Sequence, residues 1–200
     1  SNLPLLLVGL WGLRFCVNAL LRSTAAFSNR VEAVPWMVLF AAIAFTACGS
    51  AWYHSRPGDD SLLWDRLPLA LVFTSVLGAA IAERIELRAG LLTLPVLFAF
   101  GEFSVLYWYS AGDLRYYVAV QTTAIVIVPL LTTLLPGSYT HARYWHVAVG
   151  LYLLSKLAEL GDGLVFAGGG VLSGHTCKHL LAAAAGGVVL RMLQRRQPCG

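Results

Sequence analysis

Five polar residues sit in apolar surroundings at spacings that chemistry can use. His175-Thr-Cys-Lys-His179 is an H-x-x-x-H pattern within an apolar run. On a helix, residues i and i+4 share a face about one turn apart, so both imidazoles can reach one metal ion. His54 closes another apolar run, Ser50 precedes it by one helical turn, and Asp65 follows in the next run. Three neutral imidazoles with an open fourth position are a catalytic zinc set. Zinc so held lowers the pKa of water to about 7 and polarises a carbonyl. Asp65 is then a candidate general base for that water, or a partner orienting a histidine. Ser50 is a candidate donor to a developing oxyanion.

Each residue also has a plainer reading. A lone H-x-x-x-H can be two histidines satisfying neighbouring polar groups. His54 alone suits a helix end at an interface, and Asp65 alone suits a first helical turn, where the dipole favours an acid. Ser50 within Gly49-Ser50-Ala51 suits close helix packing. The set acquires weight only if the elements carrying it bring all five residues to one place.

Those elements follow from composition. The chain has 200 residues, 58% hydrophobic and 12% charged. Soluble domains carry about 25% charged residues, so a soluble globular enzyme is excluded and lipid must cover the surface. Apolar runs of about 20 residues, the length that spans a bilayer, occur at Leu3–Leu21, Val34–His54, Leu62–Ala82, Gly90–Tyr109, Tyr116–Leu135, Tyr144–Val165 and Leu172–Leu193. Turn or charged segments separate them, including Ser55-Arg-Pro-Gly-Asp-Asp60, Glu83-Arg-Ile-Glu-Leu-Arg88 and Gly168-Gly-Gly170. The runs are continuous rather than alternating, which excludes barrel strands. The expected fold is an all-α membrane protein, a seven-transmembrane helix bundle forming a single domain over residues 1–200. That arithmetic leaves no room for an appended soluble domain, and the N-terminus shows no signal-peptide pattern.

Arginine distribution orients the bundle. Arg22, Arg30, Arg84, Arg88, Arg143, Arg191, Arg195 and Arg196 fall at one end of the spans, against Arg56, Arg66 and Arg115 at the other. Cytoplasmic loops carry the Lys/Arg excess, so the expected topology is N-out/C-in. His54, Ser50, Asp65, His175 and His179 then share one depth near the non-cytoplasmic face. The arginines are too scattered for a nucleic-acid surface. Cys16, Cys48, Cys177 and Cys199 contain no C-x-x-C pair and read as packing residues.

The segments Gly49-Ser-Ala-Trp-Tyr-His54, Leu63-Trp-Asp-Arg-Leu-Pro68 and Ser173-Gly-His-Thr-Cys-Lys-His-Leu180 together resemble the alkaline ceramidase family. That family belongs to the CREST superfamily of seven-span membrane hydrolases. Its pattern is S-x-x-x-H, then an Asp, then H-x-x-x-H near the C-terminus, so the resemblance reaches from the second span to the seventh. It implies Zn2+ on His54, His175 and His179, water activated by Asp65, an oxyanion steadied by Ser50, and hydrolysis of a ceramide-like amide to a sphingoid base and a fatty acid. It also implies a membrane-lipid substrate, a lateral opening for it, and no obligate protein partner. Eukaryotic members resemble one another in an acidic calcium site before the first span, and this chain has no acid before Glu32. The Arg-over-Lys bias and short loops look like a bacterial inner-membrane protein.

Other readings stay open. A lipid ester hydrolase or acyl transferase of the same superfamily fits the same residues, and so does a zinc-containing seven-span receptor, although no long cytoplasmic segment is present to signal through. A retinal-type pump needs Lys178, which lies near a span end between two histidines. Glu102, Glu159 and Asp162 are candidates to line the same cavity. Lys156 and Glu159, at i and i+3, are expected to pair. Arg14 has no assigned role. Trp52, Tyr53, Trp64, Tyr107, Trp108 and Tyr109 read as interfacial aromatics, and His141 and His146 as interfacial residues at the opposite end.

Overall fold

The computed structural model describes residues 2–22, 24–161 and 173–199. Asp162, Val165, Gly168-Gly-Gly170 and Leu172 lie outside them. The described residues form seven α-helices: α1 (Leu3–Leu21), α2 (Ala33–Ser55), α3 (Asp59–Arg84), α4 (Leu87–Ala111), α5 (Arg115–Leu134), α6 (Arg143–Leu160) and α7 (Gly174–Arg195), with one 3-10 turn at Arg30–Glu32 before α2. All except α6 are long and apolar enough to cross a membrane. α6 has 18 described residues and carries Arg143, Lys156 and Glu159. Their outer faces expose large apolar side chains such as Trp11, Phe45, Leu92, Val96 and Leu157, the kind of surface that lipid covers.

The short connection between α2 and α3 makes them antiparallel, so the start of α3 lies at the same end as the finish of α2, where Trp52 meets Trp64. The ring contact between His54 and His175 brings the start of α7 to that end as well. Small residues set the spacing. A Cβ on Gly9 would lie 2.5 Å from the Ala44 backbone nitrogen, so α1 and α2 meet almost backbone to backbone. At the α4–α5 turn, Gly112 adopts φ +72°, a left-handed conformation that glycine takes without steric cost. Beyond it, hydrogen bonds from Arg115 hold the Asp113 carboxyl below the usual carboxylate range. Pro68, Pro95 and Pro129 lie inside helices. Beyond Pro129, the Thr132 hydroxyl donates to the Val128 carbonyl at 2.9 Å, so this buried hydroxyl is satisfied within its own helix.

α1, α2, α3, α5, α6 and α7 all contribute walls to a central slot, whereas α4 packs outside on α3 and α5. Among the described residues, α5 and α6 make the sparsest contact between neighbouring helices of that ring.

The end opposite the histidines is locked by a charge cluster. Glu83 accepts from Arg84 (3.1 Å), Arg196 (3.0 Å) and the Trp145 indole (3.3 Å). The Glu83, Arg84 and Arg196 side chains are at most 6% exposed. Arg196 also donates to the Ala26 carbonyl at 2.7 Å and stacks over Tyr139 at 4.0 Å. The tail after α7 pairs with the α5–α6 loop through Thr140–Gln197 and Cys199–Ser138 backbone bonds. The Glu83 carboxylate thus joins α3, α6 and the residue that follows α7.

Candidate metal centre

His54 lies in the last turn of α2, just before the Arg56-Pro57-Gly58 reversal. The Ser61 hydroxyl fixes that reversal from within α3, 2.6 Å from the Arg56 carbonyl and 2.9 Å from that of Gly58. α7 begins at Ser173, whose hydroxyl caps it by accepting from the Thr176 amide at 3.1 Å. His175 is therefore in the first turn of α7 and His179 one turn deeper, as their spacing requires.

The three imidazoles converge. His175 Nε2 lies 2.8 Å from His54 Nε2 and 2.8 Å from His179 Nε2. One ligand nitrogen from each of the three lies within 4.8 Å of the others, the one such group of metal-ligating side chains among the described residues. Burial rises across the group: His54 is exposed, His175 half-buried and His179 only 4% exposed.

These residues fit a zinc ion. A neutral imidazole presents one N–H and one lone pair. A single His175 Nε2 cannot act as donor to one neighbour and acceptor from the other at once, so hydrogen bonding alone satisfies this cluster poorly. A cation at the centre satisfies all three lone pairs together. With Zn–N bonds of 2.0–2.1 Å, tetrahedral geometry separates ligand nitrogens by about 3.3 Å, about half an ångström more than the two 2.8 Å separations at His175. The Nδ1 of His179 is buried with no hydrogen-bond partner among the described residues.

Gly49 brings Asp65 to this centre. Its Cβ, if present, would lie 2.1 Å from the Trp64 carbonyl oxygen and 3.0 Å from the Asp65 Cα. The second turn of α3 therefore presses directly on the α2 residue adjoining Ser50. Asp65 is six residues beyond the start of α3, and Asp59 and Asp60 occupy the first turn instead. The first-turn explanation of Asp65 thus fails. Ser50 and Asp65 make no hydrogen bond with any described residue, and both line the central slot together with His179 and Lys178. All five residues singled out by sequence come together at one end of the bundle.

The slot has a volume of about 160 Å³. Its polar end holds Ser50, Asp65, Lys156, Lys178 and His179. Its far end is closed by Leu39, Trp145 and Val189, and the walls between are almost entirely apolar. From His179 to Val189 along α7 is about 15 Å at 1.5 Å per residue, roughly half of a 30 Å hydrocarbon core and so about the depth of one lipid leaflet. Glu102 does not line this slot, because α4 lies outside the ring. Glu159 stands beside it and binds both lysines that do, Lys156 at 3.1 Å and Lys178 at 2.5 Å.

The Lys156–Glu159 pair is the expected i, i+3 contact. Lys178 joins it from α7, which the spacing within either run does not reveal. Trp52 and Trp64 stack at 6.3 Å and are half exposed, as interfacial aromatics should be. Trp108 departs from that expectation. It is buried beneath the Arg66 guanidinium, which lies 3.8 Å above its ring. His146 meets Thr133 at 2.9 Å at the opposite end, and Arg14 is exposed on α1. All four cysteines are free.

Comparison with protein-family models, with curated proteins and with solved structures finds no match for this chain.

Proposed function

We propose that this chain is a zinc-dependent intramembrane lipid hydrolase of the alkaline ceramidase type, cleaving the amide bond of ceramide or a related acyl lipid. The observation that carries the reading is the convergence of three imidazole nitrogens from α2 and α7 at the mouth of an apolar slot one leaflet deep, with Asp65 and Ser50 beside them. His54, His175 and His179 would hold the metal, whose contribution when bound is Lewis acidity toward a carbonyl and a water.

The chain's own residues supply the rest. The slot takes the acyl chain and aligns its carbonyl with the polar end. Asp65, whose side chain makes no hydrogen bond among the described residues, takes the proton from the attacking water and returns it to the leaving amine, as a general base and acid. The Ser50 hydroxyl donates to the oxyanion that develops on the carbonyl oxygen. Enclosure by the helices excludes bulk water and strengthens these interactions. The sparse α5–α6 contact is where a lipid would enter sideways from the bilayer.

The arginine asymmetry supports an N-out/C-in orientation, which puts the chemistry toward the non-cytoplasmic face of a bacterial inner membrane. The paired Lys178 weighs against a retinal-type pump. Ester cleavage or acyl transfer uses the same groups, and a substrate panel separates them. Reconstituted protein is given amide and ester lipids of equal chain length, and fatty-acid release is measured. Amide hydrolysis lost in His179→Ala supports the reading. Release from esters alone moves the assignment to the ester hydrolase, and activity surviving in His179→Ala removes the metal mechanism.

A further inference from the structure

The polar end of the slot contains more positive charge than the proposed reaction uses. Lys156 and Lys178 both line it, and both hold one carboxylate, Glu159, through separate oxygens. Ammonium groups at membrane depth are expensive unless paired. A lysine near a helix end ordinarily snorkels to the interface. These two instead turn toward each other across α6 and α7. Among the described residues, the other acid near them is Asp65, which lies within Coulombic reach of Lys178 without an ion pair. Two cations therefore share one fully engaged carboxylate, next to a site that would gain a further divalent charge on metal binding. Lys178 adjoins His179 and shares a helix face with His175, so its charge sits close to the acyl bond undergoing cleavage.

We propose that Lys156 and Lys178 form an anion subsite, and that the substrate is an acyl lipid carrying an oxyanion, carboxylate or phosphate, close to its acyl linkage. The proposal rests on the lipid-hydrolase reading and refines its substrate from neutral ceramide to an anionic acyl lipid. Glu159 then occupies the subsite when it is empty. It holds the two ammonium groups side by side and yields part of their charge when substrate arrives.

Three lipids of identical chain length isolate the headgroup: an N-acylethanolamine, the matching N-acylglycine, and the N-acylethanolamine O-phosphate. The zinc-loaded protein should show kcat/KM at least about tenfold higher for one or both anionic lipids than for the neutral one, the size expected for a charge-assisted contact. The better of the two anions identifies the headgroup source. Lys156→Gln should remove most of this preference, lowering kcat/KM for the anionic lipids at least about fivefold more than for the neutral one. Glu159→Gln should raise it, because a competing carboxylate is lost. If the trio merely fastens α6 to α7, both substitutions lower all three substrates together, and the proposal is overturned. Equal or greater activity on the neutral lipid overturns it as well.

A binding arm keeps this separate from the hydrolase reading. Thermal stabilisation of chelator-treated protein by each lipid requires no turnover. Greater stabilisation by the anions, lost in Lys156→Gln, supports the subsite even if no lipid is hydrolysed. Equal stabilisation by all three rejects it even if ceramide is cleaved.

Discussion

Gly49→Ala tests the packing that joins Asp65 to the metal centre. The added methyl would stand 2.1 Å from the Trp64 carbonyl oxygen and 2.7 Å from its carbon, whereas ordinary Cβ contacts begin at 3.4 Å. The obstacle is backbone, so no side chain can swing aside. α3 must retreat from α2 by about 1.3 Å, since packed interiors have no slack to absorb the overlap. Asp65 moves with α3, while His54 and Ser50 stay on α2 and the other two histidines stay on α7. The substitution should therefore leave zinc content unchanged and displace the general base by about 1 Å, a misplacement that costs roughly a hundredfold in rate. Overpacking should also lower stability by about 1–3 kcal/mol. Gly9→Ala is the matched control, because its methyl would press on the Ala44 backbone at 2.5 Å, away from the site. It should cost similar stability with little loss of kcat. The assay pairs metal content with fatty-acid release at saturating lipid. Full activity in Gly49→Ala, or equal loss in both variants, would refute this account of how Asp65 is placed.

Three further outcomes follow from the same geometry. Asp65→Asn should retain zinc and lose about 10²–10⁴ in kcat, the usual contribution of a positioned acid–base group; zinc loss in this variant would make Asp65 a structural partner instead. Trp145→Leu removes the floor of the slot and should shift the preferred acyl chain upward, each accommodated methylene being worth about 0.8 kcal/mol, or roughly fourfold; an unchanged chain-length profile would move the acyl site elsewhere. Glu83→Gln leaves Arg84 and Arg196 enclosed without their carboxylate and should destabilise the protein by about 3–5 kcal/mol, visible as a fall in melting temperature with kcat per folded molecule retained.

The three-histidine cluster was largely legible in sequence because it is built from local spacing within an apolar background. H-x-x-x-H fixes a helix face, S-x-x-x-H fixes another, and low overall charge makes each polar residue within an apolar run conspicuous. Gly49 was legible too, as a small residue beside a functional one. The Glu83 cluster was not. Glu83-Arg84 reads as the end of a run, and its partners Trp145 and Arg196 lie 62 and 113 residues away, so no periodicity connects them. The Lys178–Glu159 contact was hidden for the same reason, with one partner on α6 and the other on α7. Trp108 looked interfacial because the sequence does not show that Arg66 covers it. α6 read as an ordinary span because its apolar residues outweigh Lys156 and Glu159, which pair with each other and with Lys178.

The central claim is that His54, His175 and His179 hold one zinc. The direct measurement is metal content of the purified protein together with zinc K-edge X-ray absorption. The account predicts one zinc per chain, three imidazole nitrogens at about 2.0–2.1 Å with no sulfur ligand, and loss of the metal in His54→Ala. A sulfur shell from Cys177, or metal content unaffected by that substitution, would contradict it.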